Sequence, residues 1–365
     1  MFNPRRLKYI FSFFLGLMLI LMCNGSYGLL AKIENNNQIQ SVQSVSDARQ
    51  AGLIPVGIWM ELERIYDISL KDSTFQADGF ISINFPKQIA ANVKNLGPEN
   101  PCFTFENDVE RSQYSMLKYD QKVRKGERAY EKGYEFSGKF AMGDARQHRR
   151  SPFSDLHLKV IVSPICNFDY SSRKIVLVFD DEGKKLKAAN VLAANLEVPI
   201  GYNFSNSSLQ AQIRKWPGIS YSWMVGDVVL RTSAWASFFR WIMPLLVVMA
   251  IVIIAPSLGS SYFEARIGIP SASLLTLVFL HDAYRSDLPN FPYLTYLDRL
   301  YVYAYIVCLL MFVLFVLDAS HGWSNRPMLN INLPFNIKQT ISFEQAVQCL
   351  CVVGLVLVAT ISWYV

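Results

Sequence analysis

Apolar residues follow two different patterns along the chain. From about residue 31 to residue 233 they alternate with polar residues in short segments, which Gly, Pro, Asn and Asp separate. Alternation of this kind is typical of strands that bury one face. The alternating segments are 56–66, 74–85, 134–140, 156–162, 174–179 and 220–231. The pattern predicts an all-β sandwich, for which roughly 200 residues are ample.

From about residue 234 onward the apolar residues form long continuous runs instead. Three runs of 18 to 21 residues carry at most one charge, and each is long enough to cross a hydrocarbon core about 30 Å thick. A weaker segment with 14 uncharged residues, 267–280, lies between the first two runs. We therefore expect an all-α bundle of four transmembrane spans, at about 238–258, 264–285, 298–317 and 344–365.

The N-terminus predicts export. A short basic segment precedes an apolar run over 9–22, and small residues follow it, as is typical of a secretory signal peptide over about 1–28. The alternative is an uncleaved signal anchor. In both cases we expect an exported sandwich domain, 29–233, followed by a transmembrane domain, 234–365, whose C-terminus also lies outside.

The composition excludes a wholly soluble protein and narrows the function. Hydrophobic residues make up 52% of the chain and charged residues 18%, whereas soluble domains carry about 25% charge. The net charge is +6 with no basic block, which argues against a nucleic-acid partner. The sequence contains no catalytic motif, phosphate-binding glycine loop or metal-ligand spacing, so we expect neither an enzyme nor a metal or other cofactor. Cys102 and Cys166 lie in the exported region, and a disulfide between them stays open.

The second predicted span carries an acidic and apolar stripe. On a helix with about 100° per residue, one arc of about 80° collects Glu264, Gly268, Ala272, Leu275, Phe279 and Asp282. A stripe with acids at both ends and bulky apolar groups between them suits a water-filled pore, and a pore requires a ring of subunits. The alternative is that the two acids are interfacial residues at the helix ends. Pro270 leaves a second choice open, because it either kinks the helix or begins it.

Four short motifs resemble one known family. The sequences EARIG at 264–268, SLLTL at 273–277, SDLP at 286–289 and PYLT at 292–295 are similar to the second span, outer loop and third-span start of pentameric ligand-gated ion channels, the Cys-loop receptor superfamily. Prokaryotic members are the most similar. Pro244 in the first span and the order of signal peptide, sandwich and four spans are also similar to the family.

The resemblance implies the architecture and the activity. The fold would be an extracellular immunoglobulin-like sandwich on a four-helix bundle, assembled as a homopentamer. The chain would form a cation-selective channel in the bacterial inner membrane, with the sandwich in the periplasm or outside. Its partners would be further copies of itself, a small-molecule or ion ligand bound between subunits, monovalent cations and membrane lipids.

The resemblance also implies residue roles. The stripe would line the pore, with Glu264 as a selectivity ring, Asp282 as an outer ring, and Leu275 and Phe279 as the gate. Gating and coupling would involve Pro152, Phe153, Asp155, Arg231, Leu288, Pro289, Pro292 and Tyr293. Ligand contacts would come from Phe105, Ile165, Phe168, Trp216 and Tyr221, although each of these is more often a core residue.

The sequence departs from the family pattern around Pro152. In the family, an aspartate usually occupies the position of Ser154 and faces an arginine just before the first span. In this chain the aspartate is one position later, at Asp155, and its expected partner is Arg231. The alternative is an ordinary surface ion pair. His281 on the second span is either packed against a neighbouring helix or a proton sensor. The departure around Pro152 and the presence of Pro270 support a second function, a non-conducting membrane-anchored ligand sensor or binding module of the same architecture.

Overall fold

The chain is described by a computed structural model that covers most of both predicted domains. The described residues are 40–41, 45–50, 52–86, 101, 103–116, 128–142, 145–164, 175–179, 192–216, 219–291, 293–321, 327–333 and 337–364. The predicted signal peptide lies outside them. Two compact units are present: a sandwich unit within Glu34–Gln147 and Asp155–Ser233, and a helical unit that contains His148–Ser154 and Ala234–Val365.

The sandwich unit contains two five-stranded sheets. The first sheet has the spatial order β1 (Gln40–Ser41), β9 (Tyr202–Trp216), β10 (Ile219–Thr232), β7 (Leu156–Pro164) and β4 (Phe103–Phe105). The second has the order β5 (Asp108–Met116), β6 (Arg128–Ala141), β3 (Thr74–Pro86), β2 (Ile54–Ser69) and β8 (Ile175–Phe179). Strands β2 and β8 run parallel, and the other neighbouring strands are antiparallel. A short helix, α1 (Val45–Gln50), precedes β2. The predicted β-sandwich is confirmed.

Alternation along the strands builds the core of this unit. In β2 the even-numbered residues Val56, Ile58, Met60 and Leu62 are buried, while the residues between them are half-buried. Successive side chains of a strand point to opposite faces, so one face of the sheet becomes the core face. Burial of each such side chain contributes about 1.5–3 kcal/mol.

The helical unit contains four helices long and apolar enough to cross a membrane among the described residues. They are α2 (Ala234–Ser257), α3 (Phe263–Ser286), α4 (Tyr296–His321) and α5 (Phe343–Tyr364). Each predicted span lies within or beside one of them. A hairpin of β11 (Pro327–Leu333) and β12 (Ile337–Ser342), which the sequence pattern does not predict, follows α4. The chain is therefore a membrane-spanning protein with an N-terminal β-sandwich.

Pro244 in the first span and Pro270 in the second both lie inside helices. Pro244 follows a wide π-helical turn over Phe238–Ile242. Pro270 is buried within α3, which begins at Phe263. The helix therefore does not open at Pro270, and Glu264 lies in its first turn.

Candidate functional site

The candidate site is the exposed face of α3. The buried residues of this helix are Arg266, Pro270, Ser273, Leu277 and Tyr284. At about 100° per residue they centre near 210° from Glu264, whereas the predicted stripe centres near 40°. All six residues of the stripe are exposed, and Leu275 and Phe279 keep 59% and 66% of their surface. The stripe thus points away from the helices that hold α3 in place.

The exposed face of α3 differs in chemistry from that of α2. In the stretch Met243–Ile254 of α2, every exposed residue is apolar. The exposed face of α3 instead carries two acids, three hydroxyl side chains and small residues besides its apolar groups. The hydroxyls of Ser271 and Thr276 donate to the carbonyl oxygens of Ile267 and Ala272, four residues earlier in the helix. These two hydroxyl groups therefore form hydrogen bonds within α3.

A buried ion cluster fixes the first turns of α3. The Arg266 side chain is only 3% exposed, and its Nη1 donates to Asp318 Oδ2 of α4 at 3.2 Å. Its Nη2 donates to Glu344 Oε1 of α5, and its guanidinium lies 4.7 Å from the centre of the Phe315 ring. Arginine within a membrane is stable when it is paired and turned inward. Arg266 therefore places no positive charge on the face that carries Glu264.

A second buried cluster fixes the other end of α3. Asp298 in the first turn of α4 has no exposed side-chain surface. Its Oδ1 accepts a hydrogen bond from His281 Nε2 at 3.0 Å and forms an ion pair with Arg285 Nε at 3.2 Å. Its Oδ2 accepts the Thr295 backbone N–H at 2.8 Å, and the Asp298 N–H is bonded to Thr295 Oγ1 at 3.3 Å, which is a reciprocal helix cap. His281 also contacts the Tyr305 hydroxyl through Nδ1 at 3.0 Å, so its side chain packs against α4.

Most of the predicted gating residues belong to the helical unit. Phe153 packs between the rings of Tyr296 and Trp363, with centroid distances of 6.2 and 6.0 Å. Leu288 is buried, while Pro289 and Pro152 are half-buried. The two remaining predictions are Tyr293, which stacks on Phe291 at 5.1 Å, and Pro292, which lies outside the described residues. The hydroxyl of Tyr284 donates to the carbonyl oxygen of Ser151 at 3.4 Å and contacts Thr295 Oγ1 at 3.0 Å.

Asp155 and Arg231 form an ion pair in the sandwich unit. Arg231 Nε donates to Asp155 Oδ1 at 2.7 Å, and Nη2 donates to Oδ2 at 2.8 Å. These hydrogen bonds lower the pKa of the Asp155 carboxyl group and raise the pKa of Arg231. Both side chains are partly exposed, at 38% and 60%, so solvent weakens the attraction. The pair has the bidentate geometry that fixes orientation well.

Of the five predicted ligand contacts, Phe105 has a described side chain, and the grouping of the five stays a prediction. Phe105 is 2% exposed and lies in the core, where its ring centre is 4.7 Å from that of Phe136. Trp216 and Tyr221 lie on the adjacent strands β9 and β10, of which the backbone is described. Ile165 and Phe168 lie outside the described residues, as do Cys102 and Cys166. Within the described residues, no group of three or more His, Cys, Asp or Glu side chains is arranged to hold a metal ion.

Sequence reasoning missed the partners of Arg266. Asp318 and Glu344 lie 52 and 78 residues further along the chain. The one available signal is that an arginine inside a span requires an acidic partner on another helix.

Comparison with known proteins finds no matching family model and no curated protein with significant similarity to the chain. What the fold defines is a four-span membrane protein with a β-sandwich before its spans.

Proposed function

We propose that this chain is one subunit of a homopentameric, cation-selective, ligand-gated ion channel. Five copies of α3 would surround a central path, with the stripe facing water. The sandwich units would bind a ligand between neighbouring subunits, and the protein would reside in the bacterial inner membrane with its sandwich outside. Closed and open forms would exchange, and the ligand would favour the form that it binds more tightly.

The observation that carries the proposal is the acidic and small-residue character of the exposed face of α3. A face that meets lipid is expected to resemble the apolar face of Met243–Ile254 in α2. Glu264 and Asp282 on a lipid-facing surface would each leave a carboxylate next to hydrocarbon or at its edge. Water along this face removes that cost, and water along one helix of a bundle requires a ring of copies.

The charges near the start of α3 support cation conduction. Glu264 is exposed, whereas Arg266 is turned inward onto two carboxylates. A ring of five copies would therefore present acids alone at this level of the path. Rings of Asp or Glu attract cations, and a level of bulky apolar side chains such as Leu275 and Phe279 closes a pore by excluding water.

Purified protein in planar lipid bilayers tests the proposal. Under a KCl gradient, ligand-evoked or proton-evoked currents should reverse near the potassium equilibrium potential. Glu264→Gln should move the reversal potential towards zero or lower the unitary conductance, because it removes the acidic ring. Glu110→Gln, the same chemical change at a 75% exposed site of the sandwich unit, should leave both unchanged. Bilayers that stay silent over a broad ligand and pH screen favour the non-conducting ligand sensor instead.

A further inference from the structure

The hairpin that connects α4 to α5 has two unlike faces. Its strands β11 and β12 are antiparallel, and residues paired across them lie on the same face of the sheet. One face is aliphatic at every position except Gln339 and holds the pairs Leu329–Ile341, Ile331–Gln339 and Leu333–Ile337. The other face is polar and holds the pairs Asn330–Thr340 and Asn332–Lys338. We refer to the first of these as the aliphatic face.

The hairpin forms a small sheet of its own. Among the described residues, neither β11 nor β12 is hydrogen-bonded to a third strand. A two-stranded sheet is at best marginally stable by itself in water, and an aliphatic face in contact with water adds to the cost. The hairpin therefore requires an apolar surface that covers the aliphatic face.

Both ends of the hairpin are tied to membrane-spanning helices. Helix α4 ends at His321, and residues 322–326 connect it to β11, which begins at Pro327. Strand β12 ends at Ser342, and α5 begins at the next residue, Phe343. Because Pro327 is paired with Ser342, the open end of the hairpin lies at the start of α5. The closed end, at Ile337, is within about 17 Å of it, since a strand advances about 3.3 Å per residue.

The membrane surface is the apolar environment within reach of the hairpin. Helices α4 and α5 are both long and apolar enough to span a membrane. The end of one span and the beginning of the next lie at the same surface of the membrane. The connection through residues 322–326 is short, and the connection between β12 and α5 contains no residue at all. The hairpin is therefore held beside the lipid that surrounds these spans.

The charges of the connecting segment fit this surface as well. Residues 322–342 contain two basic residues, Arg326 and Lys338, and no acidic residue. Lys338 lies on the polar face of the hairpin, opposite the aliphatic face. Segments with basic residues on one face and apolar residues on the other lie in the plane of the membrane interface, where anionic lipids attract them. The segment also contains Trp323, a residue type that is enriched at this level.

We propose that the hairpin docks on the surface of the lipid bilayer, in the leaflet where α4 ends and α5 begins. The aliphatic face contacts the acyl chains, and the polar face with Lys338 remains in water. The hairpin does not cross the membrane, because its strands have seven and six residues, whereas a spanning strand needs about 9–11. Docking fixes the depth at which α5 begins, and the first turn of α5 carries Glu344, a partner of Arg266. The proposal does not depend on ion conduction.

Nitroxide labels along β11 test the proposal with the full-length protein in phosphatidylglycerol and phosphatidylcholine liposomes. Single cysteines replace residues 329 to 333 in turn, in a background whose native cysteines are changed to serine or alanine. Collision rates with oxygen and with a water-soluble nickel chelate give the depth of each label. Two further labels calibrate the scale: Val356→Cys on α5, at a 57% exposed position, and Glu110→Cys, at a 75% exposed position of the sandwich unit.

The depth of the labels should alternate along the strand. We expect the labels at positions 329, 331 and 333 to lie about 5–10 Å deeper in the bilayer than those at positions 330 and 332. Equal depth at all five positions, or nickel access equal to that of Glu110→Cys throughout, overturns the proposal. Alternation in which positions 329, 331 and 333 are shielded from both oxygen and nickel also overturns it, because protein then covers the aliphatic face.

A second measurement keeps the native cysteines, in case the substituted background does not fold. Ile331→Lys places a charge on the aliphatic face, whereas Asn332→Lys places the same charge on the polar face. In lipid nanodiscs, trypsin should cleave after Lys338 severalfold faster in Ile331→Lys than in Asn332→Lys, because the first variant releases the hairpin from the bilayer. Equal cleavage rates in the two variants overturn the proposal.

Discussion

The contact of α4 with α5 depends on Gly354. A Cβ atom at this position would lie 2.5 Å from the hydroxyl oxygen of Tyr303 and 3.2 Å from its Cζ atom. That hydroxyl donates to the carbonyl oxygen of Cys351 at 2.6 Å, and Tyr303 is only 6% exposed. Gly354→Ala therefore forces a buried ring to move and breaks its hydrogen bond.

The size of the effect follows from these contacts. Overpacking of a tight interior costs about 1–3 kcal/mol, and the lost hydrogen bond costs about 1 kcal/mol more. A helical glycine replaced by alanine regains about 0.5–1 kcal/mol. Gly354→Ala should thus destabilise the protein by about 1–3.5 kcal/mol, which lowers the melting temperature by several degrees.

Thermal unfolding in detergent, followed by size-exclusion chromatography, measures this effect. The control is Gly268→Ala on the exposed face of α3, where a new Cβ meets nothing within 4 Å, so stability should be unchanged or slightly higher. Tyr303→Phe removes the clashing oxygen, and the double variant G354A/Y303F should be more stable than G354A alone. A G354A protein as stable as wild type, or a double variant that is no better than G354A, refutes the described packing of α4 on α5.

Three further predictions concern the ion pairs. Asp298→Asn should destabilise the protein by about 3–5 kcal/mol because it removes a fully buried carboxylate that His281 and Arg285 contact. Asp287→Asn at an exposed pair should cost less than about 1 kcal/mol, and equal thermal shifts contradict this difference. Arg266→Gln should also cost about 3–5 kcal/mol, because two acids lose their cation, and a wild-type melting temperature would contradict that cluster. Arg231 lowers the pKa of Asp155, so the ionised pair stabilises the protein above the ordinary aspartate pKa and this contribution disappears as the pH falls below it. Asp155→Asn should flatten the acid limb of the stability profile slightly, and an unchanged limb contradicts the pairing.

The elements that could be predicted from the sequence are those that short-range patterns determine. The alternation over 56–66 marks β2 because one face of a strand is buried and the other is not. Length and lack of charge mark the spans, and even the weak second span was located to within a residue or two of α3. The stripe that the helical wheel defines lies on the exposed face of α3, and its pore-lining role stays a prediction.

Features that depend on distant parts of the chain could not be predicted in this way. Alternation alone does not distinguish a core aromatic from a ligand contact, and Phe105 lies in the core beside Phe136. The two acids that hold Arg266 come from α4 and α5, and no local pattern links them to it. The effect of Pro270 was open for the same reason. Whether the helix continues through a proline depends on the neighbours that support its first turns, and the Arg266 cluster supplies that support.

Access of a water-soluble thiol reagent to α3 tests the central claim most directly. Ala272→Cys places a thiol on the stripe, and Ser273→Cys places one on the neighbouring buried position, 8% exposed. We expect a cationic thiosulfonate to block the bilayer current of Ala272→Cys irreversibly and to leave Ser273→Cys and the wild-type protein, with its native Cys349, unaffected. A current that persists after modification of Ala272→Cys, or equal block of both variants, would contradict an ion path along this face.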